Sequence, residues 1–288
     1  MKIKDLRLKI SSALAECSFE EASFEADCMI ADIIGVENSV LRVIGDNEVD
    51  ALTVQKAESF VERRLSGEPL QYILGMWEFY GLKFFVGDGV LIPRPETELL
   101  IDTAIDFAED KKHITCFDLC SGSGCIGISV SKLLPGSDVT VLEKSDKALA
   151  YLLKNKEYNN ADNLTIVKGD LFDGADLFEG KNCDILLSNP PYIRSDVVGC
   201  LQREVLAEPR MALDGGDDGL DFYRAIAEKW FCAVKPDGMV AVEIGEEQGS
   251  DVALIFSRYF KDVCVIKDYS GNDRVVIAKE RFWSSEKC

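Results

Sequence analysis

The sequence predicts an α/β fold: a seven-stranded, mostly parallel sheet with one reversed strand, preceded by a small helical domain and a β-hairpin linker. Three observations predict it. From about residue 115 onward, short apolar runs that end in polar or glycine-rich turns alternate with helical patterns. The stretch before about residue 75 shows helical spacing and no strand-like alternation. The last two apolar runs are joined by Tyr269-Ser270-Gly271-Asn272-Asp273, too short for a crossover helix, so they form an antiparallel hairpin.

Residues 1–75 read as the helical domain. Leu6, Leu8, Ile10 and Leu14 give a partial apolar face. Ser18-Phe19-Glu20-Glu21 has capping-box spacing, with serine at the N-cap and glutamate three residues later. The helix it starts carries Phe24, Cys28, Ala31 and Ile34, with Gly35 as its stop. A third helix runs from about Leu52 to Leu65 and ends before Ser66-Gly67. A domain of this size is close to the limit at which a core is stable alone, so it is expected to lean on the next segment. That segment, residues 76–92, is the hairpin linker. Trp77 to Val86 is aromatic and strand-like, Gly87-Asp88-Gly89 is a turn signal, and Val90-Leu91-Ile92 returns. Its aromatic side chains either pack against both domains or line a peptide-binding groove.

Residues 93–288 form the second domain. Pro95 followed by acidic residues suits a helix start, and Leu100, Ala104 and Phe107 then share a face. Strands follow near Thr115–Leu119, Val139–Glu143, Leu164–Lys168, Asp184–Ser188, Met239–Ile244, Val263–Asp268 and Arg274–Ala278. Helices fall between most of them, including Cys125–Leu134, Leu220–Val234 and Ser250–Tyr259.

The chemistry is concentrated where these strands end. The first leads into Ser121-Gly122-Ser123-Gly124, whose glycines let backbone approach a ligand. Glu143 closes the next strand near the spacing expected for an acceptor of ribose hydroxyls. Gly169-Asp170-Leu171-Phe172 ends the third. Asn189-Pro190-Pro191-Tyr192 ends the fourth, where two prolines stop the ladder. That last stretch displays what holds a planar –NH2: the Asn189 side-chain oxygen and the Pro190 carbonyl as acceptors, and the Tyr192 ring to stack on the plane. A proline-rich loop that merely ends a strand remains open on this stretch alone.

The order Asp118-x-x-x-Gly122-x-Gly124, Glu143, Asp170, Asn189-Pro190-Pro191-Tyr192 resembles class I methyltransferases that use S-adenosyl-L-methionine and act on planar nitrogens. Gly67-Glu68-Pro69-Leu70-Gln71-Tyr72-Ile73-Leu74-Gly75, Ile92-Pro93-Arg94-Pro95-Glu96-Thr97-Glu98 and Glu208-Pro209-Arg210-Met211-Ala212-Leu213-Asp214-Gly215-Gly216 resemble signatures of the release factor glutamine methyltransferase family (HemK/PrmC type). The likeness extends to Gly271-Asn272-Asp273-Arg274, so it spans nearly the whole chain. It implies a Rossmann-like methyltransferase sheet and N5-methylation of the glutamine in the Gly-Gly-Gln loop of peptide chain release factors. The helical domain is expected to recognise that protein substrate. For the cofactor, the likeness implies Cys120, Ser121, Gly122, Ser123 and Gly124 beneath the methionine part, Glu143 on the ribose, Asp170 on the adenine amino group, Leu171 against the ring, and a contact from Asn189. For the substrate it implies Asn189, Pro190, Pro191 and Tyr192, with Asn189, Pro190 and Tyr192 catalytic. The segment from Pro93 to Glu98 is expected to border the cofactor pocket, with Arg94 and Glu96 alternatively in capping or ion-pair roles. Two departures stand out. Cys120 occupies a position where relatives usually carry glycine, and we expect its backbone angle to be one an L-residue tolerates. Glu143 replaces a frequent aspartate.

Asn-Pro-Pro-Tyr does not by itself choose among glutamine, adenine N6 and cytosine N4. A ribosomal-protein glutamine is the nearest alternative acceptor, and DNA adenine a more distant one that needs a pocket for a flipped base. The formal charge of −19 argues against a broad phosphate-binding surface. It suits either solubility or the steering of a basic partner. A non-catalytic cofactor-binding adaptor is a third class of reading, and the complete Asn189–Tyr192 motif speaks against it. Ten cysteines without a Cys-x-x-Cys pair, and the single His113, argue against zinc and for buried free thiols. No signal peptide or membrane span is expected, which fits a cytoplasmic protein.

Overall fold

The computed structural model describes residues 1–16, 21–178 and 180–282. The chain forms two compact units: Met1–Met76 with Arg203–Ala207, and Trp77–Gln202 with Glu208 onward.

The first unit holds helices α1 (Ile3–Glu16), α2 (Ala22–Ile34), α3 (Asn38–Leu41), α4 (Ala51–Leu65) and α5 (Leu70–Leu74). Helix α1 buries Ile3, Leu6, Ile10 and Leu14 in a single stripe. Leu8 lies off that stripe and is exposed, against the sequence expectation. Helix α2 stops at Gly35, whose φ of +72° is the left-handed cap that glycine supplies. The capping box expected at 18–21 falls largely outside the described residues. Helix α4 is capped by Asp50, whose carboxylate accepts from Thr53 N at 2.8 Å. Arg64 donates to both oxygens of the buried Glu25 at 2.7 and 2.9 Å. It also donates to Glu204 at 3.0 Å. This charge pairing is why the short Arg203–Leu206 helix, far away in sequence, belongs to the first unit.

The hairpin β1 (Met76–Phe79) and β2 (Leu82–Phe85) begins at the unit boundary and lies, but for Met76, in the second unit. Its turn is Tyr80-Gly81, at φ +51° and +71°. Positive angles at both central residues match the twist of the flanking strands. Gly87-Asp88-Gly89 does turn, with Val90 N donating to Gly87 O at 3.2 Å, but Val90-Leu91-Ile92 forms no returning strand, so this is not the turn of the hairpin. A short 3-10 turn at Pro95–Thr97 leads into α6 (Glu98–Ala108), as proline at a helix start favours.

Next come β3 (Thr115–Leu119), α7 (Cys125–Leu133), β4 (Asp138–Glu143), α8 (Asp146–Tyr158), β5 (Leu164–Lys168), β6 (Cys183–Ser188), β7 (Val234–Glu243), β8 (Phe260–Lys267) and β9 (Asp273–Arg281). The sheet order is β5-β4-β3-β6-β7-β9-β8, parallel up to β7, with β9 antiparallel to both of its neighbours. The reversed strand predicted from the short final connection is therefore present. The helix expected over 220–234 is broken: an α-helix at Asp221–Ala225 widens into a π-turn at Ile226–Trp230 and closes as 3-10 at Phe231–Ala233.

Both faces of the sheet are covered, so the central strands read as continuous apolar runs. All six residues of β6 are buried. Ile185 and Leu187 pack on one face with Ile101, Ile126 and Ile128. Leu186 packs on the other with Phe117, Tyr223 and Trp230. Cys28, Cys116, Cys125 and Cys183 are buried free thiols, as the sequence suggested, whereas Cys200 and Cys264 are exposed. Among the described residues, no helix is long and apolar enough to cross a membrane, and no cluster of three or more His, Cys, Asp or Glu is placed to hold a metal.

Candidate active site

Register aligns the strand ends. Leu119 pairs with Leu142 on one side and with Ser188 on the other, Ser188 pairs with Val242, and Glu143 pairs with Lys168. The next residues outward are Cys120, Gly169-Asp170 and Asn189, with Glu143 and Glu243 as the last of β4 and β7. Carboxyl ends of parallel strands are where such sheets open a crevice. Here the crevice is a cavity of about 370 Å3, within the range of small-molecule sites.

One wall is the loop between β3 and α7. At Gly122, φ is +55° and a Cβ would meet only Val90 Cγ2, at an ordinary 4.0 Å, so the backbone angle alone calls for glycine. Gly124, at φ +81°, would also drive a Cβ to 2.1 Å from Leu152 Cδ1. Cys120 adopts φ +60°. The expectation of an ordinary angle is thus wrong. The loop keeps a left-handed bend here because Ser121 N must return to Leu142 O at 3.1 Å. Glu143 accepts from Gly122 N at 2.8 Å and from Ser145 N at 2.7 Å. Each of its oxygens keeps a second acceptor site for a ligand hydroxyl.

On the next strand end, Asp170 accepts from Lys144 Nζ at 2.6 Å and from Phe172 N at 3.1 Å. Burial pushes its carboxyl upward, but Lys144 and the Phe172 N–H outweigh this and hold it below the usual range. Leu171 is buried, and its carbonyl accepts from Trp230 Nε1 at 3.0 Å.

The opposite wall carries Asn189 and Pro191. Asn189 Nδ2 donates to Thr97 Oγ1 at 3.0 Å, and Thr97 Oγ1 donates to Glu243 Oε2 at 2.6 Å. Tyr192 OH reaches Glu243 Oε1 at 3.4 Å, while its carbonyl accepts from Gln248 Nε2 at 3.1 Å. Glycine at 215 leaves room for this segment, since a Cβ there would stand 2.7 Å from Tyr192 Cα. Glu243 is buried, and burial raises its carboxyl to about 7 against the lowering effects of Thr97, Arg274 and Tyr192. Glu208 ties Ile92 N at 2.9 Å and pairs with Arg94, so Arg94 both forms an ion pair and borders the cavity. Glu96 is exposed.

Of the residues expected from the sequence, Cys120, Ser121, Gly122, Ser123, Glu143, Asp170, Leu171, Asn189 and Pro191 line the cavity. Gly124, Pro190 and Tyr192 adjoin these lining residues in the chain but are not among them. Thr97, Glu208, Glu243 and Gln248 were missed. Thr97 and Glu208 sit inside motifs that were noticed, but Glu243 read only as part of an apolar strand, and Gln248 carried no signal.

Residues 5–75 match the PrmC N-terminal domain family model, and residues 96–217 match that of the methyltransferase small domain. The chain is 38% identical over 264 residues to a release factor glutamine methyltransferase of Thermodesulfovibrio yellowstonii, covering 89% of this chain and 92% of that one. It is 38% identical over 265 residues to the protein of that name from Geobacter sulfurreducens, with 91% of each covered. It is 34% identical over 281 residues to that from Clostridium acetobutylicum, with 96% and 98% covered. Among solved structures, it resembles the hMettl16 catalytic domain bound to an MAT2A 3′UTR hairpin, at TM-score 0.57 and 16% identity over 82% of this chain and 84% of that one. It also resembles a methyltransferase from Pyrococcus furiosus, at TM-score 0.51 and 20% identity over 71% and 91%. At these identities the two structures speak for the fold alone.

Proposed function

The chain belongs to the release factor glutamine methyltransferase family, and from that premise we propose that it transfers a methyl group from S-adenosyl-L-methionine to the side-chain amide nitrogen of the glutamine in the Gly-Gly-Gln loop of a peptide chain release factor. One observation carries the reading. Asn189 spends its Nδ2 on Thr97, which leaves Oδ1 as an acceptor at the cavity wall, and the adjoining Pro190 carbonyl accepts no hydrogen bond among the described residues. Two neighbouring acceptors suit the two N–H bonds of one primary amide.

The donor set also fits the cofactor. Glu143 has acceptor capacity left for ribose hydroxyls, Asp170 presents a carboxylate beside the buried Leu171 for an adenine ring and its amino group, and the Cys120–Gly124 backbone borders the space between. When bound, S-adenosyl-L-methionine supplies an electrophilic methyl carbon on a sulfonium. An amide nitrogen is a poor nucleophile, because its lone pair is delocalised into the carbonyl. Asn189 Oδ1 and the Pro190 carbonyl hold the –NH2 in line, favour a more pyramidal nitrogen and stabilise its growing positive charge. With the amide held in this way, the methyl group would pass from the sulfonium sulfur, left behind as a thioether, to the nitrogen, and one amide proton would leave for solvent. No strong base is needed, because the methylated nitrogen is very acidic. His113 sits before β3, at the opposite end of that strand from the site. Tyr192, anchored at its hydroxyl and its carbonyl, keeps the motif rigid and offers its ring to the substrate plane. The helical unit, matched by the N-terminal family model, recognises the protein substrate.

The test is methyl transfer from labelled cofactor to a release factor, to the same factor with its loop Gln→Ala, to ribosomal proteins and to DNA. Label on the release factor that disappears with the Gln→Ala change is expected. Label on DNA alone overturns the proposal, and cofactor binding without transfer to any of them favours an adaptor.

A further inference from the structure

We propose that Thr97 and Glu243 are positioning residues for the acceptor amide: one chain of hydrogen bonds from Glu243 through Thr97 fixes which end of the Asn189 carboxamide faces the cavity. The inference rests on the reading that Asn189 grips the acceptor –NH2. A terminal carboxamide keeps nearly the same shape when turned end for end, yet only its oxygen end can grip an –NH2. Thr97 decides between the two. Its hydroxyl has one hydrogen, which lies on Glu243 Oε2 at 2.6 Å, and it accepts from Asn189 Nδ2 at 3.0 Å. While Glu243 is ionised it can only accept, so the threonine hydrogen is committed to it and a lone pair faces Asn189. Once protonated, Glu243 can donate to Thr97 instead. The threonine hydrogen is then free to point at Asn189, which favours the turned amide, with Nδ2 in the cavity. That arrangement opposes an –NH2 with another donor.

Several groups set the ionisation of Glu243. Thr97 touches it from the segment before α6, the neighbouring acidic Glu96 acts on it through charge alone, Arg274 acts from β9, and Tyr192 from the loop after β6. Tyr223 donates to its backbone carbonyl at 2.9 Å. Cys125, at the start of α7, is close enough to feel its charge. Burial wins over the favourable partners and brings the carboxyl to about 7, so the proton count changes in the physiological range. A bound sulfonium adds positive charge and moves that midpoint down, so the kinetic limb falls at or below about pH 7.

The side-chain amide signals of Asn189 in 15N-labelled protein, assigned by their loss in Asn189→Ala, are followed from about pH 5.5 to about 8.5. They are expected to shift with a midpoint near 7, and the shift is expected to vanish in Thr97→Val and Glu243→Gln. In the methyl-transfer assay, Thr97→Val lowers kcat by about tenfold or more while cofactor affinity stays within about twofold, and Thr97→Ser restores kcat. Glu243→Gln removes the acid limb of the kcat profile. Amide signals that do not change with pH overturn the inference, as does a Thr97→Val enzyme with unchanged kcat and pH profile. Signals that titrate as described in a protein that methylates no glutamine support the coupling and reject the proposed reaction instead.

Discussion

Cys120 carries a side chain at a backbone angle that disfavours one, φ +60°. For an L-residue other than Asn or Asp this conformation costs about 1 kcal/mol or slightly more. Replacing it with glycine relieves that strain, at the expense of a looser unfolded chain and a few lost contacts. Cys120→Gly is therefore expected to leave stability unchanged or raise it by up to about 1 kcal/mol, whereas the β-branched Cys120→Val loses about 2 kcal/mol or more, both read from urea unfolding. Equal effects of the two would mean that packing, not the angle, dominates. At Asn189 the argument is about chemistry. Its acceptor oxygen serves the nitrogen whose charge grows during transfer, so its contacts matter most at the transition state. Asn189→Ala is expected to abolish transfer while cofactor Kd, measured by calorimetry, stays within about an order of magnitude. A parallel loss of both would make Asn189 a cofactor anchor.

At the scale of elements, Asn155 on α8 does for β2 what another strand would. Its Oδ1 accepts from Phe85 N at 2.6 Å, and its Nδ2 donates to Phe85 O at 3.1 Å and to Ser123 O at 2.9 Å. The last bond ties the glycine loop at the cavity to the hairpin. Asn155 is fully buried, so Asn155→Ala takes the partner from three backbone groups, one of them, Ser123 O, in a buried bond, and should cost about 2–4 kcal/mol in chemical denaturation. It should also weaken cofactor binding severalfold; lost stability with an unchanged Kd would break the link to the loop. Little of this could be read from the sequence. Strand ends were legible because each apolar run of a doubly covered sheet stops at a polar group, which is how Glu143, Asp170 and Asn189 stood out. The hairpin register was not, because Gly87-Asp88-Gly89 is the stronger turn signal in composition, while Tyr80-Gly81 wins by the twist of its angles. The Thr97–Glu243 bond joins residues 146 positions apart, and only the assembled sheet brings them together. Cys120 misled for a related reason: the loop's path, not the residue in it, sets the angle.

For the whole molecule, pH acts through buried acids and through net charge in the same direction. Burial pushes Asp118 up to about 8, despite the N–H of Gly127 at 3.0 Å, and pushes Glu243 to about 7. Among the described residues, Asp118 Oδ1 makes no hydrogen bond, so a proton on this group is the cheaper state. In the unfolded chain these groups ionise near 3.8 and 4.5. Above those values the native state keeps protons that the unfolded state has released, so their contribution is fullest at low pH and is lost as pH rises through the folded values. Asp170, Asp184 and Asp268 act oppositely. Burial raises them, but Lys144, Lys235 and, for Asp268, the Asn272 N–H and Arg274 prevail, so what they contribute is lost as pH falls through their depressed values. A formal charge of −19 near neutrality adds self-repulsion that protonation relieves. Stability is therefore expected to peak at about pH 5–6, with Tm falling by about 5 °C or more between there and pH 8.5. Salt separates the two causes. Added salt at pH 8.5 recovers the part due to surface repulsion, because exposed charges are screened, and leaves the buried part. Asp118→Asn keeps an acceptor for Gly127 N, cannot ionise, and should flatten the remaining slope. A Tm that climbs steadily from pH 5 to 8.5 would show that both acids are ionised in the fold, and with Glu243 always charged the amide at Asn189 would be locked in one orientation at every pH.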